Sequence, residues 1–223
     1  MKTPVFETVL AIASKDLRAE LRSRELLSLM AIFALLSILV FSFALELDRL
    51  AREEAVSGVL WVTLIFASLL GLNRSLAQEY DQGNLDALLL APVSRSAIFV
   101  GKFLGNALFT WLVGVLLLPL MTALYGMNLL DGRLILTALA GIFGLCAIGT
   151  LLATMTVQTR AREALLPIAM LPVALPFLLT AVRATTGILT GAAEWQVWFQ
   201  LLLGIAVIYL VLCLLLYGYV VEE

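Results

Sequence analysis

Leu26-Leu-Ser-Leu-Met-Ala-Ile-Phe-Ala-Leu-Leu-Ser-Ile-Leu-Val-Phe-Ser-Phe-Ala-Leu45 carries no ionisable side chain. A helix rises about 1.5 Å per residue, so about 20 apolar residues cross the roughly 30 Å hydrocarbon layer of a bilayer. Backbone amides find no water in that layer, and a helix bonds all of its own. The stretch begins behind a charged segment and outruns a signal-peptide core, so it reads as an uncleaved span. Working outward, comparable runs occupy residues 56–72, 103–125, 134–157, 164–182 and 197–219, and tyrosine and cysteine are the only titratable groups within any of them. Apolar residues make up 62% of the chain, charged residues 13%, and the mean hydropathy is +1.06, which places the whole chain in the bilayer rather than in water.

The expected fold is therefore all-α: a polytopic membrane protein of six transmembrane helices preceded by an amphipathic interfacial helix. Residues 1–25 form that helical elbow, and residues 26–223 form the membrane domain with a polar segment at 73–102. Within 4–24, Phe6, Leu10, Ala13, Leu17 and Leu21 fall on one side at helical spacing, and Lys15, Arg18 and Arg22 fall on another. Such a helix lies on a membrane with its basic face against anionic lipid headgroups, or serves as an ordinary charged flank of the first span. Lysine and arginine number ten in the N-terminal segment, 73–102 and 158–163, against four in the alternate connections, which places both termini in the cytoplasm.

Several function classes are excluded or disfavoured. A net charge of −2 does not suit nucleic acid, whose phosphates require a basic surface. Histidine is absent, which removes histidine-based zinc sites, histidine general bases and histidine ligation of haem by this chain. Cys146 and Cys213 lie in apolar runs and are expected to pack as small hydrophobes. An ion-coupled carrier would place charges at membrane depth, and these spans hold none. No catalytic residues and no metal site are expected.

The fourth span spaces Ala140 and Gly144, then Gly149 and Ala153, four apart, as helices that pack closely do. The fifth holds Pro167, Pro172 and Pro176, each lacking a backbone donor, and a kinked or broken helix is expected there. The connection 183–196 reads as an apolar loop that dips into the outer interface, with Trp195 and Trp198 as belt anchors.

The polar insertion 73–95 reads as turn, short helix, stop and new helix. Asn84 is placed to cap the short helix, Asp86 lies in its first turn near the positive end of the dipole, and Pro92 ends it. Ser94 or Ser96 then caps the next helix. Leu85, Leu88 and Leu89 share one face, too short to span and too apolar to stay in water, so they require a partner surface, the membrane or their own bundle. Glu79, Asp81 and Asp86 lack the histidine or second carboxylate cluster that catalysis or metal binding would need. Gly101-Lys102 is not a phosphate loop, because Ser96 stands where its first glycine belongs and Phe103 where serine or threonine is needed.

Glu79, Gly83, Leu85, Asp86, Leu88, Leu89, Pro92, Val93, Ser94, Arg95, Gly101 and Lys102, following two spans and an amphipathic N-terminus, resemble the signature of exporter-type ATP-binding-cassette permeases. Lys15-Asp-Leu-Arg, Glu20-Leu-Arg-Ser-Arg-Glu25, Gly71-Leu-Asn-Arg-Ser-Leu-Ala-Gln-Glu79 and Leu85-Asp-Ala-Leu-Leu-Leu-Ala-Pro-Val93 are more narrowly similar to the haem exporter B (CcmB) family of cytochrome c maturation. The resemblance implies a six-helix subunit of the bacterial inner membrane, working as a dimer with the ATPase CcmA, associated with CcmC and CcmD, and serving haem delivery to the chaperone CcmE. It implies that residues 84–92 are the coupling helix and residues 4–24 the elbow. Glu79, Asp81, Gly83, Asn84, Leu85, Asp86, Leu88, Leu89 and Pro92 are then the ATPase-coupling residues. ATP would act only through the partner, and no cofactor is expected to be bound.

Haem, as possible cargo, would find only Tyr, Met or Cys as ligands in this chain. Met121, Met127, Met155 and Met170 qualify by type, although core packing is their expected role, and any histidine ligands are expected from partner subunits. Two alternatives stay open: a permease for another lipid-like or amphipathic substrate, and a membrane scaffold that moves nothing.

Overall fold

The computed structural model describes residues 5–44, 49–84, 88, 93–157, 159 and 161–220. Seven helices run through the described residues: α1 (Val5–Ser23), α2 (Glu25–Ala44), α3 (Arg49–Asp81), α4 (Arg95–Tyr125), α5 (Gly132–Thr156), α6 (Arg162–Thr190) and α7 (Trp195–Val220). All but α1 are long and apolar enough to cross a membrane, so the chain is a multi-pass membrane protein with six spans.

The helix ends follow their local chemistry. Arg24 adopts a left-handed conformation, φ 55°, and breaks α1 from α2. The Glu20 carboxylate then accepts the Leu27 amide at 2.8 Å and the Leu26 amide at 3.4 Å, satisfying donors that the first turn of α2 leaves open. Ser94, extended at φ −74° and ψ 139°, caps α4 by accepting the Ala97 amide at 3.3 Å, so it and not Ser96 takes that role. Asp131 caps α5 through the Arg133 amide at 2.8 Å.

The spans pack around α5, which touches α3, α4, α6 and α7. Its small residues admit large neighbours. Gly144 lies against Phe177 and Ala206, and Gly149 against Leu72 and Met170. At Gly141 the fully buried Trp61 ring of α3 fills the space a side chain would take. Trp61 Nε1 donates to Thr185 Oγ1 at 3.0 Å, and Phe177 meets its ring edge-on. By contrast α2 and α7 leave most of their apolar surface exposed, as lipid-facing helices do. Cys146 and Cys213 are buried; so are Met121 and Met170, whereas Met155 is exposed and Met127 lies half-buried at the core's edge.

Three expectations are corrected. First, the chain does not turn at Asn73: α3 continues to Asp81, because residues 73–81 keep a buried face through Leu76 and Glu79. Second, of the kink or break expected at Pro167, Pro172 and Pro176, no break occurs: α6 runs as one helix from Arg162 to Thr190. The prolines leave the Glu163, Ile168 and Pro172 carbonyls without their helical amides; one residue on from the last of these, Tyr209 Oη of α7 donates to the Val173 carbonyl at 2.6 Å, and the Thr180 hydroxyl donates to the Phe177 carbonyl at 2.7 Å. Third, residues 183–190 are helix rather than loop, and the apolar Ile188 and Leu189 pack against the core. The helix stops at Gly191, whose φ of 72° closes a Schellman-type end with the Ala192 amide on the Gly187 carbonyl at 2.9 Å.

Candidate functional site at the α1 end of the bundle

α1 is held by a face other than its apolar stripe. Phe6, Leu10 and Leu21 point outward, and Arg18 and Arg22 are exposed, while Val9, Ile12 and Glu20 are buried. That buried face lies on α4, and glycine makes the approach possible. A Cβ at Gly101 would stand 2.8 Å from Ile12 Cβ, and one at Gly105 would stand 3.6 Å from Asp16 Oδ2.

One turn along, four charges from three helices meet. Lys102 of α4, only 2% exposed, donates to Asp16 of α1 at 2.9 Å and also pairs with Glu79 of α3. Lys15 of α1 reaches the same Glu79 oxygen, Oε1, at 2.6 Å and lies 3.2 Å from Asp16. Glu79 is 8% exposed, and its other oxygen, Oε2, is buried without a hydrogen-bond partner. Burial works against the Lys15 charge, but the Glu79 and Asp16 carboxylates beside it outweigh that, and its pKa is raised. Buried charges such as Lys102 and Glu79 persist only when paired, so the cluster links the three helices to one another. A cleft of about 270 Å³ opens beside it, lined in part by Lys15, Asp16, Glu20, Gln78, Glu79 and Asn84.

Lys102 begins a polar stripe on α4 that continues at four-residue spacing through Asn106 and Thr110. Asn106 Nδ2 donates to Thr150 Oγ1 at 3.3 Å, and Cys146 Sγ stands 3.6 Å from Thr110 Oγ1 and 3.8 Å from Ser68 Oγ. The seam joins α3, α4 and α5 through groups that lipid would leave unsatisfied.

α3 ends beside the cluster. The Gln82 and Gly83 amides close onto the Gln78 and Tyr80 carbonyls, and Gly83 takes φ 67°, which releases the chain from the helix axis. Asn84 is helical, and its side-chain Nδ2 donates to Gln82 Oε1 at 2.9 Å; the amides it was expected to cap belong to residues outside those described. At the other side of the connection Arg95 Nη1 donates to the Gly218 carbonyl at 3.1 Å, tying the start of α4 to the end of α7.

The family model described as CcmB protein matches residues 7–221. The chain belongs to the CcmB family. Among curated CcmB relatives, the heme exporter protein B of Rhodobacter capsulatus is 31% identical over 170 residues, 76% of this chain and 78% of that protein. The heme exporter protein B of Bradyrhizobium diazoefficiens is 24% identical over 203 residues, 91% of each chain. That of Pseudomonas aeruginosa is 28% identical over 174 residues, 76% of each.

For a CcmB chain, the expected coupling residues divide into three groups. Leu85, Asp86, Leu89 and Pro92 lie outside the described residues. Asp81, Gly83 and Asn84 are exposed at the exit of α3, and Leu88 is half-buried, packed against the core that holds Ile12, Ile98 and Phe99. Leu88 is therefore not wholly bare: part of its apolar surface is covered by its own bundle. Glu79 faces inward and anchors the charge cluster. Lys15, read with Arg18 and Arg22 as the basic face of α1, reaches Glu79 and Asp16 while its side chain stays 46% exposed. Asp16 and Lys102 were not expected at the site. A lysine at the edge of an apolar run ordinarily marks only the membrane boundary; its four-residue spacing to Asn106 and Thr110 was the available signal.

Proposed function

We propose that this chain is a membrane subunit of an ATP-binding-cassette complex that exports or delivers haem for c-type cytochrome assembly. In this reading it sits in the bacterial inner membrane as a dimer with both termini in the cytoplasm, beside an ATPase subunit of the CcmA kind, with CcmC and CcmD as associates and CcmE as the acceptor of haem. The observation that carries the reading is the family match along residues 7–221 together with relatives named heme exporter protein B.

The segment between α3 and α4 is the docking element for the ATPase. Supporting this, it leaves the bundle at the end where α1, α3 and α4 are fixed to one another, so a push on it reaches three helices at once. ATP chemistry belongs to the partner, and this chain supplies the mechanical path. Haem, if it touches the chain, meets apolar surfaces, with histidine ligands contributed by other subunits.

The test uses the full complex in its native membrane. Leu88→Asp with Leu89→Asp places two charges on the docking face and should reduce both ATPase co-purification and haem-bearing cytochrome c at least tenfold. Unchanged values for both would remove this segment from the mechanism. If deleting the chain leaves c-type cytochromes at normal levels, the cargo is another amphipathic substrate.

A further inference from the structure

We propose that Lys102 is a positioning residue, a pin that makes α1 and α4 follow α3 when the segment after Asp81 is displaced; this rests on the function proposed above. The geometry argues for a pin that shifts rather than a fixed weld. Two ammonium groups, Lys15 and Lys102, converge on one oxygen of Glu79, while Oε2 is buried and accepts no hydrogen bond from the described residues. A second arrangement, with one lysine on each oxygen, is thus open to the cluster without any charge losing its partner. That gives one set of side chains two pairings of similar chemistry, which a switching element requires.

The surrounding surface permits the change. α1 seats Ile12 over Gly101 and brings Asp16 beside Gly105, so α4 meets it there with backbone rather than side chains, and the ion pairs are the polar contacts that add to this apolar packing. Asp16 to Lys102 is the ion pair that registers α1 on α4, and Lys15 to Glu79 registers it on α3. The cleft of about 270 Å³ borders Lys15, Asp16 and Glu79, so Lys15 and the Glu79 carboxylate have room to change their pairing while Lys102 stays enclosed. From Lys102 the stripe of Asn106 and Thr110 carries displacement of α4 into the membrane against α5. Displacement of the polar segment therefore reaches α3 and α4 along the chain, and Lys102, paired with Asp16 and Glu79, holds α1 and both spans to one movement.

Removing Lys102 alone would leave Lys15 as the one ammonium shared by Asp16 and the buried Glu79, and such a variant can fail to fold. Asp16→Asn with Lys102→Met removes the α1 to α4 pair together and leaves Lys15 on Glu79. In the complete complex this double variant should assemble with the ATPase and hydrolyse ATP within twofold of wild type, while haem-bearing cytochrome c falls at least tenfold. A parallel fall in assembly, hydrolysis and cytochrome would make the cluster a structural weld and overturn the pin. So would cytochrome output within twofold of wild type. Wild-type complex that yields no ATP-dependent cytochrome in the same membranes overturns the underlying function and the pin with it.

Discussion

Gly141 shows how little freedom single positions have in this bundle. A methyl group there would stand 1.8 Å from Trp61 Cη2, and the ring cannot easily retreat, because Thr185 holds its nitrogen and Phe177 meets its edge. Gly141→Ala is therefore expected to lower stability by about 1–3 kcal/mol, the usual cost of overpacking. Gly58 in α3 makes the control, since a methyl group there meets nothing within 4 Å. Gly58→Ala should be neutral or stabilising by up to about 1 kcal/mol, through helix propensity alone. Thermal unfolding of both variants in detergent separates them; equal midpoints would mean that the Trp61 contact does not limit packing. Neither effect is legible in the sequence. Gly141 stands beside the spaced pair Ala140 and Gly144, and only the helix orientation decides which small residue receives the indole.

Among the elements, α6 shows where sequence reasoning on prolines stops short. Each proline removes one backbone donor, which is local and readable, but whether the helix survives depends on what stands opposite the freed carbonyls. Here the Tyr209 hydroxyl arrives from α7 on the Val173 carbonyl, beside the Pro172 carbonyl that Pro176 frees, and Thr180 bends back onto Phe177 of its own helix. Tyr209→Phe keeps the ring and deletes only the 2.6 Å bond to the Val173 carbonyl. The expected loss is about 0.6–2 kcal/mol, the range for hydrogen bonds between membrane helices. Reversible unfolding in mixed micelles measures it, and a variant as stable as wild type would show that α6 holds its course without α7. The six spans themselves were legible, because a run of twenty apolar residues has one outcome in a bilayer. The extension of α3 to Asp81 was not: residues 73–81 look solvated in isolation, and their inward face is defined by Lys15 and Lys102, which lie far away in sequence. The candidate site was legible in the same proportion. Its cap at Ser94 follows from residue chemistry, whereas the end of α3 near Gly83 was not read from the sequence, and the pairing of Asp16 with Lys102 depends on two glycines that let α1 approach.

For the whole molecule, the directions of the helices make a prediction about sidedness. α3 ends and α4 begins at the α1 end, and α4, with 31 residues, carries the chain to the opposite face, where Asn128 is exposed. Arg95 bonded to Gly218 brings the end of α7 back to the face from which α2 started, as six crossings require. The charges are distributed unevenly, since ten of the lysine and arginine residues belong to connections on the α1 side and four to those on the other. Because positive loops are retained on the cytoplasmic side, the α1 face should lie inside. Cys146 and Cys213 are buried and stay silent to a charged maleimide, so single cysteines can report the arrangement. Asn128→Cys should label in intact cells, and Gln82→Cys, exposed on the α1 face, should label only after the membrane is opened. Labelling of Gln82→Cys in intact cells would invert the topology and place the segment between α3 and α4 beyond the reach of any cytoplasmic ATPase, so this one measurement bears on the coupling reading as directly as on the fold.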